Sequence, residues 1–109
     1  MIFKEDAIFK ICIVDECGEI EWDGGDTSTQ AIEELIKRAE KNQLVSLGLI
    51  DFNGDTYFGE SQCEYILQNE LPILKRGENI DSGLLDLIER GCKKVLATSW
   101  SYLKITRQS

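Results

Sequence analysis

The chain has 109 residues, with 20 acidic and 12 basic side chains and no histidine, so its formal net charge is -8 and its pI about 4.5. A chain of this length is predicted to form one domain over residues 1–109, and its composition excludes disorder of the whole chain. It contains no apolar run near the roughly 20 residues that span a bilayer, and residues 1–6 lack a signal-peptide pattern, so we expect a cytoplasmic protein.

The first third of the chain predicts a β-hairpin. Residues 7–14 are nearly all apolar and rich in branched side chains, which is typical of a central strand covered on both faces. Residues 15–18 supply turn formers, and residues 19–22 alternate strictly between polar and apolar. The sequence Asp-Gly-Gly-Asp at 23–26 is predicted to break this second strand.

A helix is predicted over residues 28–42. Thr27 and Gln30 have the spacing of a capping box at its start. Apolar side chains recur at helical spacing along it and should face the core; they are Ile32, Leu35, Ile36 and Ala39.

A second hairpin is predicted in the middle of the chain. Residues 44–52 have a β-type composition, and Asn53-Gly54 before residues 55–58 is a strong turn signal. A calcium-binding loop that began at Asp51 would need a glutamate as its twelfth residue. Position 62 is a glutamine, so calcium binding at this turn is disfavoured.

Two further helices and a last strand region are predicted after this hairpin. Ser61 and Glu64 suggest a capping box for a short helix ending near Gln68, and Pro72 should stop any helix there. The conformation of residues 73–80 stays open.

The last helix should be capped by Asp81 or Ser82 and should end at Gly91, with Leu84, Leu87 and Ile88 facing inward. Residues 93–99 and 101–107 have strand character, either as one strand or as a hairpin turning near Ser99. Together these elements predict an α+β fold: a single domain with a mostly antiparallel sheet built from hairpins and about three helices packed on it.

The residue inventory argues against catalysis. Without histidine, the chain cannot form Ser-His or Cys-His nucleophile pairs. The four cysteines include no C-x-x-C pair, and we expect Cys12 and Cys63 to be buried as small apolar side chains. The sequence therefore predicts a non-enzyme with no metal and no cofactor.

Charge is distributed unevenly along the chain. Residues 1–34 carry ten acids and two bases, whereas five bases and no acid follow Glu89. Six acids fall within residues 15–26, so the first hairpin should carry a negative patch that repels nucleic acid and anionic lipid. Such a patch attracts a cationic partner and accelerates its association.

This patch is the predicted partner-binding site. If Ile20 points into the core, Glu19 and Glu21 point outward, and Trp22 shares the parity of Ile20. Trp22 is then either a core residue or an aromatic anchor inside an acidic rim. The candidate partner-binding residues are Asp15, Glu16, Glu19, Glu21, Trp22, Asp23 and Asp26.

In size and charge the chain resembles the immunity proteins of bacterial toxin–immunity pairs, such as those of contact-dependent growth inhibition. The resemblance extends over the whole chain and depends on no motif, so no family residue is transferred. It implies a tight heterodimer with a basic protein toxin, such as a ribonuclease or other nuclease, and no direct contact with nucleic acid or membrane.

Two alternatives stay open from the sequence. One is a small-molecule-binding or enzymatic domain with an unrecognised pocket that Tyr57, Tyr65 or Trp100 would line. The other is a regulatory module that self-associates through a sheet edge. Strong salt sensitivity of self-association would distinguish the second alternative from the inhibitor hypothesis.

Overall fold

The computed structural model describes residues 8–77 and 80–108. Its single sheet has four antiparallel strands in the spatial order β2-β1-β4-β3. The strands are β1 (Ile8–Asp15), β2 (Ile20–Ser28), β3 (Asp55–Phe58) and β4 (Ser101–Gln108). This architecture confirms the predicted α+β class with a mostly antiparallel sheet.

Helices pack against one face of this sheet. They are α1 (Thr29–Lys41), α2 (Val45–Gly48), α3 (Glu60–Tyr65), α4 (Leu71–Arg76) and α5 (Ser82–Ala97), with a π-helical turn at Ile66–Glu70 between α3 and α4. Their buried side chains form one cluster with Phe9, Ile11 and Ile13 of β1. In the described residues, no helix is long and apolar enough to cross a membrane.

The prediction for the first strand is confirmed over residues 8–14, and Ala7 lies outside the described residues. β1 is flanked by β2 and β4, and both of its faces are largely buried. Phe9, Ile11 and Ile13 face the helices, whereas Cys12 and Val14 lie on the opposite face, which carries no helix of residues 8–77 or 80–108 and which we call the open face. Cys12 and Val14 are each only 2% exposed, and their partners in β4 are Lys104 and Tyr102.

The predicted strand break at residues 23–26 is wrong, because β2 continues through it to Ser28. Ile11 pairs with Gly25 and Cys12 pairs with Asp23, so Gly24 is the extra residue of a β-bulge. A Cβ atom on Gly24 would lie 2.8 Å from the Ile11 carbonyl oxygen. Gly24 thus allows close packing within the strand, and Gly25 takes a φ of +105°, so the two glycines shape the bulge instead of ending the strand.

The helix predicted over residues 28–42 is confirmed as α1. Its cap is displaced by one residue from the prediction, since the Ser28 hydroxyl oxygen accepts a hydrogen bond from the Ala31 N–H at 3.0 Å. Ile32, Leu35 and Ala39 are fully buried, and Ile36 packs at the margin of the core.

The second predicted hairpin is wrong. Residues 45–48 form the helical turn α2, and β3 pairs with β4, whose paired residues lie 45 to 51 positions further along the chain. The buried Glu70 carboxylate explains the helical turn, since it accepts hydrogen bonds from the Ser46 and Leu47 N–H groups at 2.9 Å each. A local β-type composition is overridden by this distant cap.

The helix predicted to end near Gln68 begins at Glu60 rather than at Ser61, and Pro72 does not stop it. The Gln62 side chain accepts a hydrogen bond from the Gly59 N–H at 3.0 Å, in place of the predicted Ser61–Glu64 capping box. Pro72 follows the π-helical turn and sits in the first turn of α4, where a missing N–H costs no helical hydrogen bond. Residues 73–76, whose conformation the sequence left open, are therefore helical, while Glu78 and Asn79 lie outside the described residues.

The predicted helix end at Gly91 and strand at residues 93–99 are also wrong. α5 is capped by Asp81, as predicted, buries Leu84, Leu87 and Ile88, and runs on to Ala97. Gly91 is buried, and a Cβ atom there would lie 2.6 Å from a Leu103 methyl group. This glycine allows α5 to approach the sheet closely. The last strand region forms β4, a single strand.

Candidate protein-interaction surface

The turn between β1 and β2 is fixed by one carboxylate. Asp15 Oδ1 accepts hydrogen bonds from the Cys17 and Glu19 N–H groups at 2.9 Å each, and Gly18 takes a φ of +88°. Asp15 thus shapes the turn, and Glu16 and Glu19 are exposed beside it. Within the described residues, neither glutamate forms an ion pair.

A second bulge changes the parity of the hairpin. Val14 pairs with Ile20 and Ile13 pairs with Trp22, so Glu21 is an extra residue between them. Ile20 therefore lies on the open face, whereas Trp22 lies on the helix-covered face. The predicted shared parity of Ile20 and Trp22 is wrong.

Two of the six acids of residues 15–26 form ion pairs with a lysine on the open face. Lys10 Nζ lies 2.9 Å from Asp23 and 4.0 Å from Asp26. The hydrogen bond with Asp23 raises the pKa of Lys10 and lowers the pKa of Asp23, which also accepts a hydrogen bond from the Gly25 N–H. The free negative charge of the hairpin is therefore concentrated nearer its turn, at Glu16, Glu19 and Glu21.

Trp22 lies at the margin of the core. Its ring packs over Gly24, and a Cβ atom added to Gly91 would lie 3.4 Å from the ring. Lys94 Nζ lies 5.6 Å from the ring centroid. Trp22 is half-buried and is packed against the main cluster. Both glycines allow the indole to fit between β2 and α5.

Other large apolar side chains are much more exposed, and four of them gather near the turn. β4 begins and β3 ends beside it, because Ser101 pairs with Asp15 and Leu103 pairs with Phe58. The exposed fractions are 60% for Ile20, 50% for Tyr57, 71% for Trp100 and 36% for Tyr102. We call these four residues together with residues 15–19 the hairpin end.

Trp100 is held in an uncommon backbone conformation. Its φ is +62°, in the left-handed region that bulky residues rarely adopt. It stands immediately before β4, in the connection from α5, and its side chain is the most exposed of the large apolar ones in the described residues. A strained and exposed tryptophan is typical of a binding surface rather than of a packed core.

A hollow of about 470 Å³ opens within the hairpin end. Its lining consists of Val14, Asp15, Glu16, Cys17, Gly18, Tyr57 and Tyr102. Lys104 stands beside it, with its Nζ 5.5 Å from the centroid of the Tyr57 ring. The hollow therefore combines two aromatic rings with two carboxylates.

The described residues offer little metal-binding or thiol chemistry at this surface. In the described part of the chain, no three Cys, Asp or Glu side chains converge as metal ligands. Cys12, Cys63 and Cys92 are buried, which confirms the prediction for Cys12 and Cys63. Burial raises the pKa of the Cys12 thiol, and a hydrogen bond with Cys63, together with burial, raises that of Cys92. Cys17 is exposed in the turn.

Of the predicted site residues, the fold brings Asp15, Glu16 and Glu19 together with exposed aromatic side chains, and it directs Asp23, Asp26 and Trp22 toward other contacts. Sequence reasoning missed Ile20 and Tyr102, and considered Tyr57 and Trp100 only as pocket residues.

Comparison with protein-family models, curated proteins and solved structures finds no match to the chain.

Proposed function

We propose that this protein binds and neutralises a basic protein partner through its hairpin end, as an immunity protein does with its cognate bacterial toxin. The observation that carries the proposal is the exposure of Ile20, Tyr57, Trp100 and Tyr102 beside Glu16 and Glu19, two exposed acids that form no ion pair with the described residues. Aromatic anchors surrounded by polar groups are the usual energetic centres of protein interfaces. The proposed activity is binding, without catalysis.

The charge arrangement supports a basic partner. Exposed carboxylates near the turn create a negative potential, which steers a cationic protein to this end of the sheet. The bases of the C-terminal third lie partly elsewhere, since Arg90, Lys93 and Lys94 belong to α5. Of these bases Lys94 lies beside Trp22, and Lys104 of β4 stands beside the hollow, so the negative potential comes from Glu16 and Glu19 at the turn itself.

A toxin that cleaves nucleic acid is the partner class that fits this surface best. Such an enzyme must present Lys and Arg side chains to the phosphates of its substrate. Carboxylates placed in a rim can occupy the same positions and exclude the substrate. The exposed aromatic side chains then supply the apolar contact that charge alone does not provide.

The test compares three forms of the protein as bait in a lysate of the organism that encodes the chain, with bound proteins identified by mass spectrometry. The hairpin-reversed variant carries Glu16→Lys, Glu19→Lys and Glu21→Lys. The helix-reversed variant carries Glu34→Lys, Glu40→Lys and Glu64→Lys and changes the net charge by the same amount. Asp23 is left intact, because its reversal would set two cations against each other at Lys10.

We expect the wild type and the helix-reversed variant to capture the same basic protein and the hairpin-reversed variant to lose it. The captured protein, once purified, should lose its activity when the wild type is added. Thermal unfolding of all three forms checks that each is folded. Equal capture by the two reversed variants would overturn the proposal.

A further inference from the structure

We infer that the hollow within the hairpin end receives an arginine side chain of the basic partner. The inference rests on the proposed function and specifies the group that the surface recognises. It comes from the combination of a hollow, two half-exposed tyrosine rings and two carboxylates in one place.

The aromatic walls are contributed by two adjacent strands. Tyr57 of β3 pairs with Lys104, and Tyr102 lies two residues earlier on β4, so both tyrosines are on the open face. The Tyr102 ring lies 3.6 Å from the position of a Cβ on Gly59. A Cβ there would make only ordinary van der Waals contact with the ring, and 36% of Tyr102 is accessible.

The carboxylates lie on the side of the hollow formed by the hairpin turn. Asp15 uses Oδ1 for the two backbone hydrogen bonds of the turn, and within the described residues its Oδ2 accepts none. Glu16 is exposed and follows directly. Val14 also lines the hollow but is only 2% exposed, so the apolar contact for the methylene groups of a long cationic side chain comes from the two tyrosine rings.

Arginine fits this combination better than lysine. A planar guanidinium stacks on an aromatic ring and pairs with a carboxylate through two parallel hydrogen bonds. An ammonium group is more strongly hydrated and has no flat face to stack. Arginine is also the charged residue most enriched among interface hot spots.

The protein already places a cation of its own beside the hollow. Lys104 Nζ lies 5.5 Å from the Tyr57 ring centroid, which shows that this ring accepts a positive charge at its face. Lys104 also repels an incoming guanidinium. Removing its charge should therefore strengthen binding of an arginine side chain, and the comparison with the lysine peptide separates this effect from general attraction of a cation to the acidic turn.

The test titrates the intact protein with three short peptides and follows the Tyr57, Tyr102 and Val14 signals by NMR. The probes are acetyl-Gly-Arg-Gly-amide, the same peptide with lysine, and the same peptide with neutral citrulline. Tyr57→Leu and Glu16→Gln test the hollow, and Tyr65→Leu is the control because Tyr65 on α3 is equally exposed but lies outside it. Lys104→Met tests the competing cation.

We expect saturable shifts at the hollow with the arginine peptide, weaker shifts with the lysine peptide and none with the citrulline peptide. Tyr57→Leu and Glu16→Gln should each weaken binding about fivefold, and Lys104→Met should strengthen it about twofold. Tyr65→Leu should leave it unchanged.

Equal binding of the arginine peptide and either other peptide, or the absence of saturable shifts at the hollow, would overturn the arginine site. So would unchanged or weaker binding in Lys104→Met. If any of these results came together with loss of partner capture in the hairpin-reversed variant, the proposed function would stand without its arginine pocket. Equal capture by both reversed variants is the separate result that removes the proposed function itself.

Discussion

Ile20 and Trp22 lie on opposite faces of the sheet, although only Glu21 separates them along β2. The register shows the reason, since Ile20 pairs with Val14 on the open face and Trp22 pairs with Ile13 on the helix-covered face. The bulge at Glu21 thus directs two apolar side chains of the same strand to opposite faces of the sheet. Trp22 seals the margin of the core, and Ile20 joins the exposed surface of the hairpin end.

The bulge at Gly24 can be tested by Gly24→Ala. The added Cβ would lie 2.7 Å from the Trp22 ring and 2.8 Å from the Ile11 carbonyl oxygen, so both must move. We expect the free energy of unfolding to fall by about 2 kcal/mol, as is typical of overpacking. Chemical denaturation measures this. Gly48→Ala is the control, because its Cβ meets other atoms only at 3.9 Å or more, and equal stability of the two variants would contradict the packing described for Trp22.

The Glu70 cap of α2 can be tested by Glu70→Ala. Glu70 is fully buried, and its two carboxylate oxygens each accept one backbone hydrogen bond, from Ser46 and Leu47. Removing the carboxylate leaves two buried donors unpaired and should cost about 3 kcal/mol of stability. Glu70→Gln retains one oxygen acceptor, so its stability should lie between that of the wild type and that of Glu70→Ala. Glu64→Ala, exposed on α3, serves as the control, and a Glu70→Ala protein as stable as this control would disprove the role of the cap.

Glu89 should contribute a component of stability that disappears in acid. Its hydrogen bonds with Lys75 and Lys93 lower the pKa of the carboxyl below its ordinary value of 4.5. A lowered pKa in the folded state stabilises the protein above that ordinary value, and the contribution is lost as the pH falls through the lowered pKa. Glu89→Gln should therefore be about 0.5 kcal/mol less stable than the wild type at pH 7.

Urea denaturation of both proteins between pH 7 and pH 2.5 measures this difference. The gap should begin to shrink below about pH 4.5 and close in stronger acid. A gap that stayed constant over the whole range would show that the charge of Glu89 does not matter.

The cysteines should differ sharply in reactivity. Only Cys17 is exposed, whereas the other three thiols are buried and the pKa values of Cys12 and Cys92 are raised. Because the thiolate is the reactive form, a thiol reagent at pH 8 should modify one cysteine per native chain and four per unfolded chain. The Cys17→Ser protein should show no fast reaction. Fast modification of a second cysteine in the native wild type would contradict the burial described here.

Local patterns in the sequence were sufficient where an element depends on its own residues. The apolar run of β1, the helical spacing in α1 and the Asp81 cap of α5 each identify their element directly. They failed where a distant residue decides the structure. α2 depends on Glu70, more than 20 residues away, and Gly24 and Gly91 are packing glycines because the Trp22 ring and Leu103 approach them.

The candidate site shows the same limit. The cluster of acids at the turn could be predicted, because these residues and the hairpin that holds them lie in one short stretch of the sequence. Their gathering with Tyr57, Trp100 and Tyr102 could not, because it depends on the pairing of β1 with β4 and of β4 with β3. The ion pairs of Asp23 and Asp26 with Lys10 likewise follow from strand register and not from the order of residues.

The most direct measurement is the association rate of the captured partner with the wild type, the hairpin-reversed variant and the helix-reversed variant over a range of ionic strength. For the wild type and the helix-reversed variant we predict a rate that falls steeply as salt rises, because the acids of the hairpin end steer the encounter. For the hairpin-reversed variant we predict a rate about tenfold lower at low salt and nearly independent of salt. A hairpin-reversed variant with the same rate and salt dependence as the helix-reversed variant would contradict binding at the hairpin end.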